Sequence, residues 1–148
     1  LSGFYGVLRP MDAVTPYRLE MQAKAAVAGH KNLYAFWGDK LYRAVRDESG
    51  IIINLASKEY SKAIEAYLQP EDCFVTCVFG ELLDGKVVQK GVYAKMARGE
   101  MVRYLAEIGA ESQEELKGFS RSGYAFREEL STETSYVFAR EPGTYEDV

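Results

Sequence analysis

Soft metal ligands are scarce in this chain: its 148 residues include one histidine, His30, and two cysteines, Cys73 and Cys77. Two thiols make no disulfide framework, and a separation of four on an extended segment is not a zinc-ligand spacing, so a reducing cytosol is the simpler setting. No apolar run approaches the ~18 residues of a membrane span, and no basic leader with an apolar stretch opens the chain. A Gly-rich phosphate loop, a Gly-x-Ser-x-Gly elbow and a His-Glu-x-x-His zinc motif are all missing. Residue types and spacing therefore predict no cofactor, no metal site and no assignable catalytic residue, which weighs against an enzyme. With 18 Lys+Arg against 22 Asp+Glu the net charge is −4, and that overall balance lends no support to a nucleic-acid partner.

What is present fits one folded domain over residues 1–148, at 47% hydrophobic residues; a chain of this length buries roughly 68–70% of its unfolded surface. It opens on Leu1 and runs at once into a turn-like, glycine-containing stretch. The expectation is the C-terminal part of a longer protein, with a polar tail over residues 141–148.

Thr15-Pro16 reads as a helix start or tight turn, with Thr15 as N-cap and Pro16 at the first helical position. Leu33, Phe36, Trp37, Leu41, Ala44 and Val45 recur at helical spacing and predict a helix over 33–47, weakened by Gly38. The apolar run Ile51–Ala56 reads as a strand buried on both faces. Ser57 would cap the next helix, whose stripe is Tyr60, Ala63, Ile64, Tyr67 and Leu68. Asp84-Gly85 predicts a hairpin joining 73–83 to 86–93. A helix over 94–108 follows, buried through Ala94, Ala97, Met101, Tyr104, Leu105 and Ile108. A short acidic helix near Ser112 and a last strand over 134–140 complete an α/β fold with a mixed sheet and flanking helices. An α+β arrangement is the second choice.

Charge is uneven. Residues 1–106 hold 14 basic and 12 acidic side chains, residues 107–148 hold 4 and 10, and the window 86–103 carries five bases against Glu100 alone. Lys95 and Arg98 are three apart beside Gly99, so they share a helix face that suits a phosphate or meets neighbouring carboxylates. Asn54 and Ser57 stand at a strand end and helix start, where backbone N–H groups favour an anion; an ordinary cap is the competing reading. Arg9 and Arg18, with Tyr17, Asp12 and Glu20, either bind an anion or brace a loop. Tyr34, Phe36 and Trp37 form either a base-stacking platform or, more in keeping with their spacing, core.

Five segments in order, LSGFYGVLRPMDAVTPYRLEM from Leu1, LYAFWGDK from Leu33, NLASKEYSKA from Asn54, YAKMARGEMVRY from Tyr93 and LKGFSRSGYAF from Leu116, closed by VFAR from Val137, resemble the YaaA family of peroxide-stress proteins. The likeness covers nearly the whole chain. It implies a cytoplasmic bacterial protein that limits damage when hydrogen peroxide and iron meet, and that binds double-stranded or distorted DNA through a basic cleft. It also implies an upstream segment and a helix-hairpin-helix element that has no secure place in this chain. Carried onto this sequence, the cleft positions are Arg9, Tyr17, Arg18, Lys95, Arg98 and Gly99, with Asn54 and Ser57 second. The family's Ala-Lys-Lys-Ala-Arg-Gly pattern has Met96 in place of one cation here, and Glu59 lowers the local potential, so weaker binding follows. An enzyme acting on a nucleobase or nucleotide, using Asn54, Ser57, Glu59 and Tyr60, is the alternative. Direct iron sequestration ranks last, for want of ligands.

Overall fold

The computed structural model describes residues 1–143 and has an α/β fold whose mixed sheet contains parallel and antiparallel strands. The chain forms two compact units, one of residues 1–52 and 56–72, the other of residues 53–55 and 73 onward.

In the first unit, residues 1–32 are turns and extended backbone, and no helix starts at Thr15-Pro16. Without a periodic apolar stripe behind it, a capping pair has nothing to pack and so no reason to nucleate a helix. The helix expected over 33–47 is two short ones, α1 (Leu33–Trp37) and α2 (Lys40–Val45). Gly38 separates them at φ 52, a left-handed conformation that an α-helix cannot accommodate. α1 begins at Asn32, whose side chain accepts from the Ala35 N–H at 2.9 Å. α3 (Lys58–Glu65) places Ala63 and Ile64 inward, as its stripe predicts. Met21, Leu33, Leu41 and Tyr42 are also buried in this unit.

Asp72 closes it. Its carboxylate accepts from the Tyr42 hydroxyl at 2.6 Å, the Arg46 Nε at 2.7 Å and the Gln69 N–H at 2.8 Å. The Tyr42 hydrogen bond, then the others, hold its pKa at about 2 against an ordinary value of 3.8. Because the folded state favours the ionised form, the stabilisation is complete above about pH 4 and is lost as pH falls through about 2. Thermal unfolding between pH 5 and 2 is expected to show this loss, and Asp72→Asn is expected to flatten it; an unchanged pH profile in the variant would contradict the assignment.

The second unit is built on β2 (Cys73–Leu83), β3 (Lys86–Val88), β4 (Ala125–Phe126) and β5 (Ser135–Arg140), with β1 (Ile51–Asn54) at the sheet edge. The strand order is β1-β2-β5-β4, with β3 on β2. β2 runs parallel to β5, while β2–β3 and β4–β5 are antiparallel. The Asp84-Gly85 hairpin forms, but β3 stops at Val88 and α4 (Gly91–Ile108) starts three residues earlier than its stripe suggests. The strand covered on both faces is β5, where Tyr136 to Arg140 are all buried, whereas Ile51–Ile53 on β1 remain partly exposed. An apolar run does not by itself separate an interior strand from an edge.

The core lies between the sheet and α4. Val75, Cys77 and Phe79 alternate along one face of β2 and meet Ala94, Ala97 and Met101 of α4 together with Leu116 and Phe119. Phe79 stacks on Phe138 at 5.2 Å and meets Phe119 and Tyr124 edge-on at 5.8 and 5.6 Å. Burial pushes the Cys77 thiol up to about 12, which keeps it an unreactive core group. Ile108, expected in the helix stripe, is exposed near the helix end. The turn after α4 is a 3-10 turn, Gln113–Gly118, and its Glu115 carboxylate accepts from the Ser112 N–H at 2.8 Å.

Candidate functional site

Sequence-predicted positions fall on both units. On α4, Lys95 and Gly99 are exposed and Arg98 is half-buried beside the buried Ala94 and Ala97. Neither cation makes a hydrogen bond or ion pair among the described residues, whereas Arg103, one turn further on, is tied to Glu107 at 2.8 Å. Arg121 is likewise bonded to Glu107 and lies 3.6 Å from Glu100. Met96, where the family pattern has a cation, is 53% exposed, so the lost charge falls on the open side of the helix next to Lys95.

Just before this helix stands a charge cluster that no short motif announces. Glu81, two residues before the end of β2, and Arg140, the last residue of β5, are opposite one another in the parallel register. They are 1% and 4% exposed. Arg140 Nη2 donates to Glu81 at 3.2 Å and Nη1 to the Ser122 carbonyl at 3.0 Å. The Lys90 ammonium reaches the other Glu81 oxygen at 2.6 Å. The guanidinium lies over Tyr93 at 5.0 Å and Tyr124 at 4.6 Å. These residues sit at the carboxyl ends of two parallel strands and tie the first turn of α4 to the sheet. One signal was available in the sequence. The alternating set Val75, Cys77, Phe79 continues to Glu81, and the set Tyr136, Phe138 continues to Arg140, so each inward face ends in a charge of opposite sign.

Asn54 is buried and donates to the Thr76 hydroxyl at 3.1 Å, which binds the edge of the sheet to β2. In the first unit, Ser57 stands at the N-cap position of α3 with extended backbone, but its side chain makes no capping bond. Arg9 and Arg18 are exposed, with no side-chain partner among the described residues. Asp12 braces the loop through the backbone, accepting from the Arg9 N–H at 2.7 Å, rather than by pairing with its guanidinium. Tyr34, Phe36 and Trp37 serve the fold: Tyr34 donates to the Glu59 carbonyl at 2.6 Å and Trp37 Nε1 to the Gly3 carbonyl at 3.0 Å.

Tyr17 belongs to a constellation that the sequence left undetected. The buried Ser2 hydroxyl is hydrogen-bonded to the Tyr17 hydroxyl and accepts from the N–H groups of Tyr5 at 2.9 Å and Phe4 at 3.2 Å. The phenol of Tyr5 accepts from the Thr15 N–H at 2.9 Å. Burial, then the adjacent Glu59 carboxylate, raises the Tyr60 pKa, with Tyr17 and Glu20 adding to it and the Met21 N–H opposing. Glu59 Oε2 is itself buried without a hydrogen-bond donor. No nucleophile–base pair joins Ser57, Glu59 and Tyr60 among the described residues.

The family model described as peroxide stress protein YaaA matches residues 1–130. The chain belongs to the YaaA family. A UPF0246 protein of Agathobacter rectalis is 61% identical over 140 residues, covering 95% of this chain and 56% of the relative. Another from Lachnoclostridium phytofermentans is 56% identical over 140 residues, covering 95% and 55%, and one from Limosilactobacillus reuteri is 54% identical over 138 residues, covering 93% and 55%. This YaaA-family chain thus spans about half the length of the curated relatives it matches. No helix among its described residues is long and apolar enough to cross a membrane.

Proposed function

We propose that this chain supplies DNA contacts to a peroxide-stress protein that limits iron-linked oxidative damage, binding double-stranded or distorted DNA with the remainder of the protein. The observation that carries the reading is the pair Lys95 and Arg98. They are three residues apart on α4 and unneutralised, in a unit where Lys90, Arg103, Lys117, Arg121 and Arg140 are all paired with carboxylates. Unpaired cations on one helix face suit successive phosphates, and such contacts fix position without reading sequence. Arg9 and Arg18 add cations from the first unit. Binding is therefore salt-sensitive, selective for shape, and weakened by Met96 and by the chain's net negative charge.

The test is a titration of the full-length protein against linear duplex and four-way junction DNA at several salt concentrations. Lys95→Ala with Arg98→Ala is expected to weaken binding on every sequence alike. It should also flatten the dependence of log affinity on log salt by about 1.8, at roughly 0.9 per phosphate lost. Unchanged affinity and slope at low salt would overturn the assignment of these residues.

A further inference from the structure

We infer that Phe4 and Tyr17 form a stacking face for one unpaired base of bound DNA; the inference rests on the DNA-binding reading above and specifies what the first unit takes. Phe4 is 58% exposed and Tyr17 42%, large aromatic surface left in water. Their centroids are 5.4 Å apart with planes tilted by 35°, and Tyr5 meets both edge-on at 4.9 and 5.6 Å.

The arrangement is held rather than loose. The Ser2 hydroxyl ties down the backbone of Phe4 and Tyr5 and bonds the Tyr17 phenol, and Ser2 bridges to Gly6 across the turn at 2.7 and 2.9 Å. Rings fixed in advance lose little freedom when a base lands on them.

Charge and stacking select the occupant. Arg18 follows Tyr17 directly and Arg9 lies in the same loop, both exposed and unpaired among the described residues, so they complement phosphates flanking a stacked base. Asp12, held by the Arg9 N–H, and Glu20 are the opposing charges in the loop. A paired base inside a duplex has both faces covered by its neighbours, so only an unpaired one can stack on protein rings, and any base will do because each has a π-face.

The experiment uses the full-length protein and two duplexes, one fully paired and one with a single bulged 2-aminopurine, whose fluorescence falls on stacking. The expected result is tighter binding to the bulged duplex, with quenching. Phe4→Ala should reduce that preference about tenfold and abolish the quench while leaving paired-duplex affinity unchanged, and Phe4→Trp should restore both. An equal Tm for Phe4→Ala excludes a folding defect, as its exposure predicts. If the wild-type protein binds paired duplex with no preference for the bulge, or if Phe4→Ala keeps the preference and the quench, the inference falls while DNA binding stands. If the wild-type protein binds neither duplex at low salt, DNA binding itself is overturned, and this inference with it.

Discussion

Glu81→Ala is expected to destabilise the second unit by about 3–5 kcal/mol, because it removes the acidic partner of a buried ion pair and leaves Arg140 charged inside the protein. Glu81 and Arg140 are 1% and 4% exposed, so water cannot replace the lost carboxylate. Arg140 would lose its carboxylate partner Glu81 and keep contacts such as the Ser122 carbonyl and the faces of Tyr93 and Tyr124. Lys90 is affected less, since its side chain is 45% exposed and its ammonium can turn to solvent. Urea denaturation of the full-length protein measures the effect, and a loss below about 1 kcal/mol would show that the pair is not desolvated as described.

A double variant separates the cost of an orphaned charge from the worth of the pair. Glu81→Leu with Arg140→Met replaces both charges by apolar groups of similar reach, and buried pairs exchanged in this way often cost little. Its loss is therefore expected to be smaller than that of Glu81→Ala alone. The cluster bears on function because Tyr93 lies in the first turn of α4 and Lys90 immediately precedes it. Loosening that turn would shift Lys95, so on the proposed DNA-binding reading Glu81→Ala should weaken binding more than removing one surface charge would.

The elements that sequence periodicity predicts well are those with a complete apolar stripe or an unambiguous turn. Ala63 and Ile64 of α3, Ala97 and Met101 of α4 and the Asp84-Gly85 hairpin all sit where their spacing puts them. Errors arise where the deciding contact is distant along the chain. Ile51–Ile53 look like an interior strand, but burial on both faces depends on how many neighbours a strand acquires, and β5 has β2 and β4 beside it. Thr15-Pro16 carries a helix-start signature, yet the Thr15 N–H is taken by the Tyr5 phenol ten residues earlier. At the candidate site, Lys95 and Arg98 were visible because they share a helix face. Ser2 was not, since it acquires its partner only through folding; for Glu81 and Arg140 the charge that ends each inward face was the one signal, and their pairing across 59 residues is set by the fold.

Gly6→Ala tests the packing beneath the loop that carries Phe4 and Tyr17. Gly6 has φ 80, and a Cβ added there would stand 2.9 Å from Trp37 Cη2 and 3.3 Å from Leu41 Cδ2. Left-handed backbone costs a non-glycine residue about 1–2 kcal/mol. Overpacking against a fixed ring adds about 1–3 kcal/mol, so a total of about 2–5 kcal/mol is expected. The ring has little room to yield, because Trp37 Nε1 is already bonded to the Gly3 carbonyl in the same loop. Gly29→Ala supplies the comparison: its φ is 81, but nothing lies within 4 Å of the added Cβ. Gly29→Ala therefore carries the backbone cost alone, and the difference between the two variants measures how firmly Trp37 packs on Gly6. Combining Gly6→Ala with Trp37→Phe should recover part of that difference, less the hydrogen bond to Gly3. Chemical denaturation of the two single variants decides the matter, and equal losses would show that the ring does not press on Gly6. A full effect would mean that the loop is supported from below by α1, so that its exposed rings stay in place before any ligand arrives.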